Sequence, residues 1–175
     1  LDVLWVIDNS GSMSPFQTAL SDNMNYFMSA FLMASPDYNM AFITTDSPYF
    51  QGLGVIDQST QNPEIVASSI LSSIGVSGSG MEKGIEFARK STSSIGPAAP
   101  GNGFLREDAT LVIIFVSDEP DYSSGGWSSY VSHFSTLKDP DKLLMIGIVG
   151  DDPAGCSFTY GNFTRNVSYG SGYID

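Results

Sequence analysis

The densest oxygen chemistry in the chain lies near its start. Asp8, Ser10 and Ser12 alternate with Asn9 and Gly11, directly after the apolar run Val3-Leu4-Trp5-Val6-Ile7. A carboxylate and two hydroxyls at every second position offer hard oxygen donors, which suit Mg²⁺, Mn²⁺ or Ca²⁺. His and Cys do not cluster anywhere in the sequence, which disfavours zinc. The single histidine, His133, falls in a helical pattern with Val131, Phe134 and Leu137, where a structural role is expected. No G-x-S-x-G elbow occurs, so nothing pairs a nucleophile with a base. The chemistry expected is ion binding.

The elements that must position these groups follow from periodicity. Residues 3–7 read as a strand buried on both faces, the kind found in parallel sheets. Ser14-Pro15-Phe16-Gln17 carries a capping-box pattern with Pro at the first helical position. Phe16, Leu20, Met24, Phe27, Met28, Phe31 and Leu32 repeat at helical spacing as a core stripe to about Ala34, and Ser35-Pro36-Asp37 ends the helix. Residues 40–45 form a second strand ending at Asp46, and residues 49–57 a weaker, Gly-interrupted edge strand. Asn62-Pro63 opens a helix to Ile74, with Gly75 as its C-cap. After the loop Gly75-Val76-Ser77-Gly78-Ser79-Gly80, a helix runs from Met81 to about Ser91 with Gly84, Ile85 and Ala88 toward the sheet. Residues 109–116 give the strongest buried-strand signal and end at Ser117-Asp118-Glu119. A helix from Trp127 to Leu137 and a last parallel strand over 143–149 follow; beyond Pro153 no element is assigned.

Strands alternating with helices imply one α/β domain over residues 1–175, Rossmann-like and doubly wound, with a mostly parallel sheet covered on both faces. Parallel strands bring their carboxyl ends to one edge, where Asp8, Asp46, Asp118 and Asp151 all fall. Asp46 and Asp151 read as ordinary turn residues. Asp8 and Asp118 end the two most hydrophobic strands, expected to be neighbours at the sheet centre, and read as a site. The balance of 19 acidic against 7 basic residues, a formal charge of −12, argues against nucleic acid as a partner and suits cations. Cys156 is alone, so no disulfide can form within these residues. No apolar run reaches membrane-spanning length. A low charged fraction of 15% with abundant Ser, Gly and Asn suggests an exported protein, and the abrupt start on a strand suggests a module of something larger.

Asp8-Asn9-Ser10-Gly11-Ser12 resembles the D-x-S-x-S motif of von Willebrand factor type A (vWA) domains, whose metal-ion-dependent adhesion site is shared by integrin I domains. The resemblance runs from Leu1 to about Gly150. It implies a third hydroxyl from a loop before a helix, and counting back from Gly84-Ile85 gives Ser79. It implies a second aspartate at the end of the strand after that helix, which is Asp118. The implied ligands of one Mg²⁺, with Mn²⁺ or Ca²⁺ as alternatives, are therefore Asp8, Ser10, Ser12, Ser79 and Asp118. The sequence departs from the family in having Ser79 for the usual Thr and Glu119 for the usual Gly beside Asp118. The family's sixth strand and closing helix are not recognisable. Phe104-Leu105-Arg106-Glu107-Asp108-Ala109 and Asp118-Glu119-Pro120-Asp121-Tyr122-Ser123 are similar to a branch found on bacterial surface and secreted proteins. The implied function is non-enzymatic: an extracellular or cell-surface adhesion module whose ion captures an acidic residue of a protein partner, with no nucleic acid and no membrane insertion. Two alternatives stand beside it. A haloacid-dehalogenase-like phosphatase would use Asp8 as nucleophile and Gly150-Asp151-Asp152 as a second acidic end, but Ser10 stands where its general acid is needed. The other is a structural vWA domain without a functional ion.

Overall fold

A computed structural model describes residues 1–34 and 37–173. In chain order the elements are β1 (Asp2–Ile7), α1 (Ser14–Ala34), β2 (Asn39–Thr44), β3 (Ile56–Asp57), α2 (Pro63–Ile74), α3 (Gly84–Ser91), β4 (Leu111–Val116), α4 (Trp127–Leu137), β5 (Leu143–Ile148), β6 (Cys156–Tyr160) and β7 (Phe163–Val167). Five strands form a sheet in the order β3-β2-β1-β4-β5, all parallel except the two-residue edge strand β3. β6 and β7 pair as a separate antiparallel hairpin.

Every residue of β1, β2 and β4 is buried, which explains their near-continuous apolar sequences. Alternate side chains serve opposite faces. Val3, Trp5 and Ile7 pack with Met24 and Met28 of α1 and with Ala67, Ile70 and Leu71 of α2. Leu4 and Val6 pack with Ile85 and Ala88 of α3 and with Tyr130 and Phe134 of α4. The Met and Phe stripe of α1 is core: Trp5 meets the edge of Phe27 at 5.2 Å between ring centroids and stacks on Phe42 at 6.0 Å. The expected helix end at Ser35-Pro36 lies outside the described residues.

Four expectations are corrected. The capping box does not form: Ser14 already has helical torsions, a 3-10 turn over Gly11–Met13 leads into α1, and Gln17 reaches elsewhere. The edge strand over 49–57 shrinks to Ile56–Asp57, because Gly52 and Gly54 adopt positive φ and turn the backbone out of the extended region. The helix placed at Met81 begins at Gly84. The sheet is flanked by helices, but its β5 edge is less covered than expected, with Leu144 50% and Ile148 49% exposed.

The residues after Pro153 supply the hairpin that the sequence did not reveal. Phe158 packs on Phe16 at 4.8 Å, the Tyr160 hydroxyl donates to Asp22, and the Ser168 N–H donates to the Asp118 carbonyl at 3.0 Å. The hairpin thereby roofs an apolar cavity of about 310 Å³ between α1 and β5. The chain then crosses back, and Tyr173 packs against Phe115 with ring centroids 5.1 Å apart.

At the amino end of the sheet, the fully buried Asp2 carboxylate accepts from the Arg106 N–H and Nε, both at 2.7 Å. Arg106 also donates to the Leu1 carbonyl and pairs with Asp37. The clamp ties the loop before β4 to β1. Removing one partner of a buried pair leaves an uncompensated charge, which costs about 3 kcal/mol or more. Arg106→Ala is therefore expected to lower stability by about 3 kcal/mol in urea unfolding. An unchanged unfolding midpoint would show that water compensates Asp2 instead.

Candidate functional site

Parallel pairing sets the site. Ile7 of β1 is in register with Val116 of β4, and the Asp8 N–H donates to the Val116 carbonyl at 2.9 Å. Asp8 and Asp118 thus leave the sheet side by side at the carboxyl edge, where open α/β sheets hold their ligands. Both are nearly inaccessible, as is Ser10.

The first turn after β1 folds around the Asp8 carboxylate. Oδ1 accepts from the Ser10 N–H at 2.8 Å, and Oδ2 accepts from the Ser117 hydroxyl at 2.6 Å. Ser10 and Ser12 share a hydroxyl–hydroxyl bond of 2.9 Å, and the Ser12 hydroxyl donates to Asp118 Oδ1 at 3.0 Å. The Ser10 backbone N–H thus ties Asp8 to a run of three side-chain oxygens, from Ser10 through Ser12 to Asp118, spanning two strand ends. Gln17, freed from the capping box, donates from Nε2 to the Asp8 carbonyl at 2.8 Å and fastens the turn to α1.

Ser79 stands apart from this chain. It is exposed, its hydroxyl accepts from the Met81 N–H at 3.0 Å, and its own N–H donates to Asp46 Oδ2 at 3.3 Å. Its loop nevertheless abuts the first turn, because the Gly78 N–H donates to the Asn9 carbonyl at 2.7 Å. A side chain at Gly78 would start 2.4 Å from the Asn9 amide, so glycine permits that approach. Asp46 serves more than its own turn, holding this loop through Ser79 while accepting from Thr44 at 2.6 Å. Asp151 is exposed and caps its own turn through the Asp152 N–H.

Three groups escaped the sequence reading. Ser117 and Gln17 hold Asp8, and only their positions beside the motif hinted at it. The third is Glu82, fully buried although its neighbours suggest an exposed helix start. Its Oε2 accepts from the Thr45 hydroxyl at 2.5 Å, while Oε1 has no donor. Burial first, then the Asp8 and Asp46 charges, push the Glu82 carboxyl up to about 7 against the pull of Thr45. Asp118 is likewise raised by burial and by Asp8 and Glu119, with Ser12 opposing. Among the described residues, no Lys or Arg forms an ion pair with Asp8, Asp46, Glu82, Asp118 or Glu119. Arg165 spends a guanidinium N–H on the Ser12 carbonyl at 2.9 Å.

Carboxylates held together without counter-charge repel one another and favour protonation or a bound cation. Among the described residues, no three His, Cys, Asp or Glu side chains converge as a metal cage. The donors are mixed instead: two carboxylates with two hydroxyls, a set that fits a hard divalent ion. Another buried acceptor nearby, Asn9 Oδ1, also has no donor.

His133 bonds to Thr92 at 2.9 Å, and burial beside Arg89 lowers its pKa, in keeping with a structural role. Of the aromatics near this edge, Tyr49, Tyr122 and Trp127 are exposed, whereas Phe50 packs on Phe104 at 5.5 Å.

The raised Glu82 carboxyl gives a pH test with a definite sign. The folded state keeps a proton that the unfolded chain releases near the ordinary value of 4.5. The associated stability is complete below that value and is lost as pH rises through about 7. In EDTA, wild type should lose at most about 3 kcal/mol relative to Glu82→Gln between about pH 5 and pH 8. Comparing the two by denaturant unfolding cancels the contributions of Asp118 and Asp121; a difference that stays flat with pH would refute the assignment.

No protein-family model matches the chain, and no curated protein matches it either.

Proposed function

We propose that the chain is a vWA-type domain that binds one divalent cation, Mg²⁺ foremost, and uses it to capture an acidic residue of a protein partner. Asp8, Ser10, Ser12 and Asp118 hold the ion, with Ser79 contributing from the neighbouring loop. The observation that carries the reading is the linkage of Asp8 to Ser10 through its backbone N–H, and of the Ser10 hydroxyl through Ser12 to Asp118, spanning adjacent strand ends. Its support is chemical: the donors are all oxygen, and no basic side chain among the described residues pairs with the carboxylates. The sheet, parallel but for one short antiparallel edge strand, is in keeping with a Rossmann-like α/β fold.

When bound, the ion supplies a positive centre that attracts a carboxylate. The residues of the chain do the rest. Ser117 and the Ser10 N–H fix the orientation of the Asp8 carboxylate, Gln17 holds the turn, and burial keeps competing water from Asp8 and Asp118. The two hydroxyls add no negative charge beyond that of the two carboxylates, so a further acidic ligand is not repelled by them. In this reading the domain serves adhesion or surface recognition outside the cell, with which its low charged fraction and abundant Ser, Gly and Asn are in keeping. No helix among the described residues is long and apolar enough to cross a membrane.

The phosphatase alternative has less support. Asp8 is inaccessible and both its oxygens accept hydrogen bonds, an arrangement for holding rather than attacking. Asp151 caps its own turn.

Thermal melts in EDTA, Mg²⁺, Mn²⁺ or Ca²⁺ test the reading directly. At about 100 times its dissociation constant, a cation should stabilise wild type by roughly 2.7 kcal/mol, and Asp118→Ala should abolish the shift. Equal melts with and without every ion would leave a structural domain as the better account. Turnover of a generic phosphate ester, lost in Asp8→Asn, would favour the enzyme.

A further inference from the structure

Arg165 brings a positive charge to the carboxyl edge of the sheet. In the hairpin it lies opposite Phe158, which packs on Phe16, and its guanidinium passes 6.0 Å from the centre of the Phe163 ring. The side chain reaches the turn after β1, where Nη1 donates to the Ser12 carbonyl at 2.9 Å. Ser12 is the residue whose hydroxyl donates to Asp118 Oδ1. At the exit of the same strand, the Ser168 N–H donates to the Asp118 carbonyl at 3.0 Å. β7 and its exit thus touch both strand ends of the oxygen run, Arg165 at Ser12 and Ser168 at Asp118.

Charge decides what such a group is for. A divalent ion held by Asp8 and Asp118 is already matched by two carboxylates, and Ser10 and Ser12 add no charge. An incoming carboxylate would therefore meet a site without net positive charge, in a chain of formal charge −12. A second positive group beside the ion restores the attraction. Arg165 is exposed, and none of the four ion pairs among the described residues includes it. Its bond to Ser12 uses one guanidinium N–H, and the planar fork of an arginine matches the two oxygens of a carboxylate. Fastening the hairpin does not call for a charge at this position, because Phe158 on Phe16 and the Tyr160 hydroxyl on Asp22 already hold it. Lys83, also at this edge, lies in the segment before α3 and bonds through its N–H to Thr45.

We propose that Arg165 is the second anchor for the partner's acidic residue: the ion meets one carboxylate oxygen, and the guanidinium takes the carboxylate from the Ser12 side. The inference rests on the proposed ion site and names what that site selects, an accessible aspartate or glutamate side chain over a hydroxyl or an amide. Arg165 acts with opposite sign on the two ligands. Its charge repels the cation and attracts the carboxylate, so its removal weakens capture of the partner without weakening the hold on the ion.

The probe is the blocked tripeptide glycyl-aspartyl-glycine, with its asparaginyl counterpart as control. Each is titrated by NMR into the whole chain saturated with whichever of Mg²⁺, Mn²⁺ and Ca²⁺ binds best. Ion affinity is measured separately by calorimetry, and every variant is melted in EDTA. In Arg165→Gln the ion should bind at least as tightly as in wild type, while affinity for the aspartyl peptide falls about tenfold. Arg165→Lys keeps the charge and loses the fork, and should lose part of that affinity. Lys83→Gln removes an equal charge from the same edge and should lose much less. Parallel loss of ion and peptide binding in R165Q would make Arg165 a structural pin for Ser12 and overturn the proposal. So would unchanged peptide affinity in R165Q, or an equal loss in K83Q. Should R165Q melt well below wild type in EDTA, the decision passes to R165K, where wild-type peptide affinity in a normally melting protein overturns the proposal. Failure of wild type to bind any of the three ions would instead overturn the ion site itself. An ion-loaded wild type that binds both peptides alike would overturn the capture of acidic residues, and Arg165 with it.

Discussion

The pairing of β1 with β4 is the constraint on which the site depends. Six consecutive residues of each strand are in parallel register, Asp2 with Leu111 through Ile7 with Val116. That register brings the residues after Ile7 and Val116 out at one level. Had β4 slipped by one residue, Ser117 rather than Asp118 would emerge beside the Ser12 hydroxyl, and the side chains of β4 would exchange faces. The two hydrophobic clusters forbid the slip, because Val112, Ile114 and Val116 belong to the α1–α2 side and Leu111, Ile113 and Phe115 to the α3–α4 side. Core packing and donor placement are therefore the same requirement, met by one alternation.

The two ends of that strand pair treat buried charge in opposite ways. At the amino end, Asp2 is buried but compensated by Arg106 through two contacts of 2.7 Å. At the carboxyl end, Asp8 is equally inaccessible and receives only a backbone N–H and a serine hydroxyl. Asp118 and Glu82 add to the acidic groups there, and burial together with the Asp8 charge raises both carboxyls. A fold with an arginine available for one buried aspartate has arranged hydroxyls around the other. Hydroxyls satisfy a carboxylate without neutralising it, and that leaves the field open to a mobile cation.

The alternation of strands and helices, the centrality of β1 and β4 and the adjacency of Asp8 to Asp118 were legible in the sequence because long apolar runs and helical spacing are strong signals. Elements set by tertiary contacts were not. The hairpin of β6 and β7 has weakly apolar strands, Cys156–Tyr160 and Phe163–Val167, whose outward faces are polar, and it is stabilised by Phe16, Asp22 and Ser12 from the far end of the chain. Gln17 satisfied a local capping pattern yet bonds to Asp8, since a buried carbonyl at the strand end needs a donor more than an exposed helix start does. Ser117 and Glu82 carry no motif; their role exists only once β2, β4 and the loop before α3 are brought together.

The late start of α3 shows how the site overrides local preference. Met81, Glu82 and Lys83 suit a helix, and a helix begun at Met81 would match the sequence pattern better than one begun at Gly84. Lys83 instead has φ −133° and ψ 47°, outside the helical region, and its N–H donates to the Thr45 carbonyl. The helix that remains is eight residues long, with Asp121 accepting at 3.4 Å from Ile85 in its first turn. Giving up three residues of helix forgoes backbone hydrogen bonds, and the extended path they take turns the Glu82 side chain inward against Thr45. Sequences that fold cleanly satisfy local and global preferences together, and departures concentrate where function is served. Here the departure falls on the segment that ties the start of α3 to the end of β2 through Thr45.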